Sequence, residues 1–342
     1  MSASKNPVIA GYVLPGLPQP LLTPDANPGY KDLRRAFDQV RAEIANSNAD
    51  LIVIYSTMWP SVIGHQIQAR PAPEWIHVDE EFHDLGSIPY KLKMDAEFAK
   101  LYAQIARERG LHARTVDYHG FPIDTGSVVA LKLINPDNRI PATIVSSNIY
   151  SDRAETFVLG KAAAEAAERS GRKVVAVIVS TLSNRLHQSF IDPQGDKIHS
   201  LKDEEWNQKI LEFLKQGRLE DVAQLSRQIH REARVKKVGN FKPFWWLSSF
   251  MGANNRYQGD VLSYNSVYGT GSAVISLHPA PHAARDLEFD EDSPDRYQGE
   301  RNVLAPSGES VSEFSSQLSL TGPMSSSAQS WSGAVPEGSG ND

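Results

Sequence analysis

Ile52-Val53-Ile54-Tyr55-Ser56-Thr57-Met58-Trp59 is the stretch on which the architecture turns. Its first half is a short apolar run that follows the turn-forming Asn46-Ser47-Asn48, and such a run reads as a strand buried on both faces. The strand is expected to stop abruptly at Ser-Thr-Met-Trp and to deliver those residues to the rim of a sheet. In open α/β sheets the crevice beyond the strand ends is where ligands bind.

Upstream, Leu33, Phe37, Val40 and Ile44 recur at helical spacing, and Val8 to Val13 is a second apolar strand closed by Leu14-Pro15-Gly16-Leu17-Pro18-Gln19-Pro20. Together these segments make a βαβ unit. Downstream, a helix starts near Asp95, carries Phe98, Leu101, Tyr102 and Ile105 on one face, and is stopped by Gly110. Ile140 to Val145 and Val174 to Val179 read as central strands flanking an Ala-rich helix, Ala154 to Ser170. Asp203 to Ile229 is helical on either side of Gly217, Phe241 to Phe250 is an aromatic helix, and Val261 to Val267 and Ser272 to Leu277 are strands joined at Tyr268-Gly269-Thr270-Gly271. The expected fold is α/β: one three-layer domain over residues 1–279, a central mixed sheet flanked by helices. An acidic, then Ser/Gly/Pro-rich tail over 280–342 is too polar to offset its ordering entropy and is expected to be disordered.

Composition removes several classes of function. The 342 residues carry 35 Lys+Arg against 41 Asp+Glu, a net charge of −6, with no long basic stripe, so nucleic acid is not an expected partner. Zero Cys excludes disulfides, thiolate metal sites and a Cys nucleophile and agrees with a reducing cytoplasm. No apolar run approaches the roughly 20 residues that span a bilayer, and Met-Ser-Ala-Ser-Lys-Asn-Pro lacks a signal-peptide core, so a cytoplasmic protein without a membrane partner is expected. Gly269-Thr270-Gly271 lies between strands instead of opening a helix, which rules out a phosphate cradle there. No Gly-x-Ser-x-Gly elbow occurs.

The loops after the strands hold the chemistry-bearing residues: Gly16 and Gln19, Met58 and His65, Asp124, Asn184 and His187. In order and spacing, Gly11 to Pro20, Ser56-Thr57-Met58-Trp59, Asp124-Thr125-Gly126-Ser127, Ser180-Thr181-Leu182-Ser183 and Tyr268-Gly269-Thr270-Gly271-Ser272-Ala273-Val274 resemble the class III extradiol ring-cleaving dioxygenases, over roughly residues 8–278. That resemblance implies Fe(II) held by two His and one Glu, with open positions for an aromatic substrate and O₂. Active members resemble Pro-His-x-Pro-His in the first loop and Ser-Pro-His-Trp after the second strand. Here Gly16 and Met58 stand at those ligand positions, and Gln19 at the second His of the first pattern. Arg234, or with a shifted gap Val238, stands at the Glu position, and Asn184 follows Thr-Leu-Ser where active members place an acid-base His.

A thioether and a guanidinium do not replace imidazole and carboxylate on Fe(II). The resemblance therefore implies no cofactor in this chain. It is most similar to the non-catalytic subunits of 2-aminophenol 1,6-dioxygenases, which pair with an iron-bearing paralogue. Fe(II) is then expected in that catalytic partner subunit, with a homo-oligomer as the other assembly.

Alternative readings remain open. His65 could supply a displaced ligand or be a loop or rim histidine. His77, Asp79 and His83, with Glu80 and Glu81, could bind a metal or form a solvated loop. His187 could be a shifted acid-base group. Trp245 and Trp246 could face a planar ring or lie in the core. Arg234 could fill the old metal cavity beside an acid. On these readings the chain is a stand-alone enzyme with a displaced metal set or a metal-free crevice, or a scaffold that reuses the fold.

Overall fold

A computed structural model describes residues 7–183, 190–219, 222, 241–252, 257–280 and 294–299. Its centre is an eight-stranded sheet in the order β6 (Ala113–Val116), β3 (His65–Gln68), β7 (Ala142–Asn148), β2 (Leu51–Ser61), β8 (Val174–Val179), β1 (Val8–Leu14), β10 (Thr270–Pro279), β9 (Tyr257–Val267). β2 runs parallel to β7 and β8, β8 parallel to β1, while β10 and β9 join antiparallel, so the sheet is mixed. A separate two-stranded sheet pairs β4 (Glu74–Val78) with β5 (Ser87–Lys91).

The alternation of β2 explains the layering. Leu51, Val53 and Tyr55 enter one core, against α3 (Ala96–Glu108), α5 (Arg153–Ser170), α6 (Leu201–Lys215) and α7 (Lys242–Met251). Ile52 and Ile54 enter the other, against α2 (Pro28–Asn46) and α4 (Thr125–Ile134). The short α1 (Gln19–Leu22) forms inside the Pro-rich loop. Caps fix the helix starts: Asn27, Asp95, Asp124, Asp152 and Ser200 each accept an amide hydrogen bond from the first turn of α2, α3, α4, α5 and α6.

Four details depart from the sequence reading. β2 does not end at Ser56. It continues to Ser61, with a register shift between Ser56 and Pro60 that sets Thr57, Met58 and Trp59 in an irregular turn of strand. Of the acidic, aromatic stretch His77 to His83, the first two residues close β4 and only the part from Asp79 lies outside a strand. The sequence reading places no helix at 125–134, yet α4 lies there, buried at every position but Lys132. The compact unit runs to Tyr297, past Pro279: Lys161 pairs with Asp295 at 2.9 Å, Arg109 Nη1 donates to the Asp295 carbonyl and Tyr297 N donates to the Arg109 carbonyl. The second expected helix of 203–229 and most of the expected tail fall outside the described residues.

Two close approaches position the site. α5 presents Gly160 to α7, where a Cβ would meet Ser249 Oγ and the Trp246 carbonyl, and its Ala162, Ala163, Ala166 and Ala167 are buried. The Tyr268-Gly269 pair has φ of 51° and 76°, the two left-handed residues of a type I′ hairpin turn. Asp196 holds this turn, accepting from Tyr268 N at 2.6 Å, Gly269 N at 2.8 Å, Ser266 Oγ at 2.6 Å and Tyr30 Oη at 2.6 Å.

Candidate functional site

The carboxyl ends of the parallel strands β1, β8, β2 and β7 lie side by side, where a crevice is expected, and Gly16 and Met58 sit on or just beyond them. Gly16 is buried there. A Cβ built on it would lie 2.6 Å from Met58 Sδ, 2.7 Å from Val179 Cγ1 and 2.8 Å from Gly126 Cα, all inside normal contact. Met58 thus occupies the space beside two glycines, one from the loop after β1 and one in the first turn of α4. Around this plug, Thr57 Oγ1 donates to the Val179 carbonyl at 2.9 Å, and Ser56 Oγ donates to Asp124 Oδ1 at 2.7 Å. Ser56, the last residue in register, reaches α4, and the irregular residues Thr57 and Met58 reach β8 and the first loop.

Asp124 caps α4 through Ser127 N at 2.9 Å, while its Oδ2 is buried without a partner among the described residues. Burial pushes its carboxyl above the usual value, against the hydrogen bonds from Ser56 and Ser127 that pull it down. Gln19 is buried too, with Oε1 equally unpartnered.

The resemblance assigns Gly16 and Met58 to iron-ligand positions, and the fit can be tested there. Gly16 brings no donor and has no room for a side chain. Met58 offers a soft thioether held in apolar contact. Neither suits Fe(II). Among the described residues no group of three His, Cys, Asp or Glu is gathered where it could hold a metal ion.

The other candidates are scattered. His65 is neither loop nor rim: it sits on β3, fully buried, with Nε2 3.0 Å from Glu155 Oε1. The sequence hides this because His-Gln-Ile-Gln carries one aliphatic residue and gives no strand signal. His77 lies on β4 with Nε2 2.6 Å from Thr125 Oγ1, and that hydroxyl donates to Asp79 Oδ2 at 2.6 Å. This relay ties β4 to the start of α4. His83 is exposed, its Nδ1 3.4 Å from the Glu80 carbonyl, so it does not join His77 and Asp79. Trp246 is core: it is buried against Tyr55 and Phe250, and Nε1 donates to Tyr102 Oη at 2.9 Å. Trp245 is buried as well. Asn184, His187, Arg234 and Val238 lie outside the described residues.

Lys242 was missed by the sequence reading, which saw only an aromatic helix around it. It opens α7 and is 3% exposed, with Nζ donating to the carbonyls of Asn148 at 2.6 Å and Ile149 at 2.8 Å, where β7 ends. Burial lowers its pKa from 10.5 to about 8, opposed by the charges of Glu155 and Asp152. Between pH 8 and 10.5 the unfolded chain keeps the proton that the folded chain releases, so this lysine makes stability rise with pH across that window. Compared with Lys242→Met, the wild-type chain should gain about 2 kcal/mol from pH 8 to 10 in urea titrations at each pH. A constant difference between the two proteins would show that the ammonium is solvated.

A family profile described as "Catalytic LigB subunit of aromatic ring-opening dioxygenase" matches residues 7–275. The chain is 31% identical over 274 residues to a 2-aminophenol 1,6-dioxygenase alpha subunit from a Pseudomonas species, covering 79% of this chain and 98% of that one. It is 29% identical to the beta subunit of a 2-aminophenol 1,6-dioxygenase from a Pseudomonas species, covering 78% and 93%. Against 3,4-dihydroxyphenylacetate 2,3-dioxygenase of Escherichia coli it is 25% identical, over 42% of this chain and 52% of that one. The crystal structure of an uncharacterized protein from Escherichia coli K12 superposes with a TM-score of 0.52 at 13% identity, covering 78% of this chain and 99% of the other, which speaks for the fold alone.

Proposed function

The chain belongs to the family of aromatic ring-opening dioxygenases, and we propose that within it this chain is a non-catalytic subunit that assembles with an iron-bearing paralogue and supports that partner's cleavage of a catechol or 2-aminophenol-type ring. The observation that carries this reading is the packing of Met58 against Gly16 and Gly126 where the resemblance expects imidazoles. Two further features support it. The relatives include both an alpha and a beta subunit of 2-aminophenol 1,6-dioxygenase. Lys242, buried at the end of β7, spends its ammonium on two backbone carbonyls and offers no lone pair to a metal.

On this reading the protein's own residues do structural work. Asp124 and Ser56 hold α4 onto β2, Thr57 fixes the strand irregularity, and His65 with Glu155 joins β3 to α5. A cytoplasmic location belongs to the same proposal; no helix among the described residues is long and apolar enough to cross a membrane.

The test is elemental analysis and oxygen uptake on the isolated chain, followed by co-expression with a paralogue from the same organism that keeps Pro-His-x-Pro-His and Ser-Pro-His-Trp. The isolated chain should hold far less than one iron per molecule after anaerobic Fe(II) loading and should consume no O₂ with catechol or 2-aminophenol. Co-expression should give a stable, active complex. Stoichiometric iron with turnover in the isolated chain would replace this reading with that of a stand-alone enzyme.

A further inference from the structure

The hairpin β4–β5 stands apart from the main sheet, and its two faces differ in a way that chain register makes plain. Trp75 pairs with Tyr90 and His77 with Ile88; Ile76 pairs with Pro89 and Val78 with Ser87. The first set points inward. Ile88 and Tyr90 are buried, Tyr90 Oη accepts from Ile123 N at 3.3 Å, and His77 contacts Thr125 at the start of α4. The second set points outward, and there Ile76 is 62% exposed and Val78 48%, beside an exposed Pro89. Trp75, at the margin of the inward face, is 58% exposed.

An antiparallel pair with one covered face ordinarily turns polar residues to water on the other. This one turns aliphatic side chains outward and, among the described residues, leaves the outer edge of β4 without a strand partner. Open strand edges and clustered exposed apolar groups mark association surfaces.

The charges around the patch narrow its occupant. Glu80, Glu81 and Asp84 are exposed in the segment that joins β4 to β5, Glu74 is exposed at the other end of β4, and Lys91 is already paired with Glu74 at 3.0 Å. Partial burial first, and the neighbouring Asp79 and Glu80 after it, raise the Glu81 carboxyl above its usual value. The chain's own tail begins with Asp286, Glu288, Asp290, Glu291 and Asp292 and would be repelled. A second copy meeting the first about a two-fold axis would bring the same acids into one interface. A different chain with apolar residues framed by Lys and Arg meets both requirements.

We propose that the outward face and free edge of β4–β5 are where the paralogous subunit docks. This rests on the subunit reading given above. Ile76 and Val78 form the dry centre of the contact, and the acids form its rim.

The experiment measures the affinity of this chain for the paralogue with Ile76→Asp/Val78→Asp, using Leu201→Asp, an 85% exposed apolar position on α6, as control. The hairpin variant should bind at least about 30-fold more weakly, as loss of an interface hot spot does, with the control unchanged. Backbone amides 74–78 should become protected from hydrogen exchange in the wild-type complex. If circular dichroism shows the double variant to be unfolded, Glu80→Lys/Glu81→Lys takes its place, and its loss of affinity should be greatest at low salt. A wild-type complex whose affinity neither variant changes, with amides 74–78 exchanging freely, overturns the docking surface and leaves the subunit reading intact. A wild-type homodimer dissolved by Ile76→Asp/Val78→Asp would assign the surface to a second copy instead. No complex at all with the paralogue would overturn the subunit reading itself.

Discussion

Gly16→His destabilises the chain by about 3 kcal/mol or more and does not create an iron site. The reason lies at Cβ, before the imidazole is reached. That atom alone would meet Met58 Sδ at 2.6 Å, Val179 Cγ1 at 2.7 Å and Gly126 Cα at 2.8 Å. The thioether can swing aside, but Gly126 Cα is backbone in the first turn of α4, which is buried almost all round. Gly16→Ala should therefore cost part of the same penalty. In the pair Gly16→Ala/Met58→Ala about 1 kcal/mol of the combined loss should be recovered, because one of the three collisions is gone. Urea denaturation of wild type, Gly16→His, Gly16→Ala, Met58→Ala and the double variant, with iron content measured on Gly16→His, checks this. Wild-type stability for Gly16→His would mean that the first loop is free to lift and that the packing argument for an iron-free chain fails.

The second large effect is expected at Asp196, which is none of the candidate ligand positions but holds the Tyr268-Gly269 turn. Asp196→Ala should cost about 3–5 kcal/mol, since one carboxylate accepts four hydrogen bonds and its loss strands donors that are partly or wholly buried. Oδ2 serves Tyr30 Oη and Tyr268 N, and Oδ1 serves Ser266 Oγ and Gly269 N. Burial first, and the Asp196 carboxylate second, hold the Tyr30 phenol well above its usual pKa. Asp196→Asn keeps one acceptor oxygen but turns an amide NH₂ toward the other two donors, so it should recover at most half of the loss. Amide exchange at Tyr268 and Gly269 should accelerate in both variants. A cost below about 1 kcal/mol for Asp196→Ala would show that water replaces the carboxylate easily.

Much of the architecture was legible in the sequence where one face of an element is buried and the other is wet. α2 and α3 declared themselves by helical spacing, and β8 by an unbroken apolar run. The reading failed where that contrast is missing. α4 is apolar nearly all round, so Thr125 to Ile134 has no amphipathic period to detect. β3 is polar at all but Ile67 because His65 and Gln68 find partners inside the protein or beside it, which no local pattern reveals. β4 was hidden among acids, since its exposed face is apolar and its register depends on β5.

The crevice was legible in part. Gly16, Met58 and Asp124 were singled out by position in the family-like motifs, and the structure gathers Gly16 and Met58 into one contact, with Asp124 bonded to Ser56 beside it. What no sequence pattern could show was that Met58 fills the place a side chain at 16 would need. Nor could it show that a lysine between Phe241 and Pro243 is turned inward onto two carbonyls.

The Gly160 seam between α5 and α7 bears on how sequences of this kind can drift. Ser249 Oγ and the Trp246 carbonyl leave no volume for a methyl group, so position 160 is tied to both a side chain and the backbone of α7. Substitutions can accumulate on the outer face of α6, where Glu205, Lys209 and Glu212 face solvent. They cannot accumulate along the small-residue stripe of α5 without shifting α7, and with it the point from which Lys242 reaches the end of β7. The charge at that strand end is thus inherited through residues that never touch it.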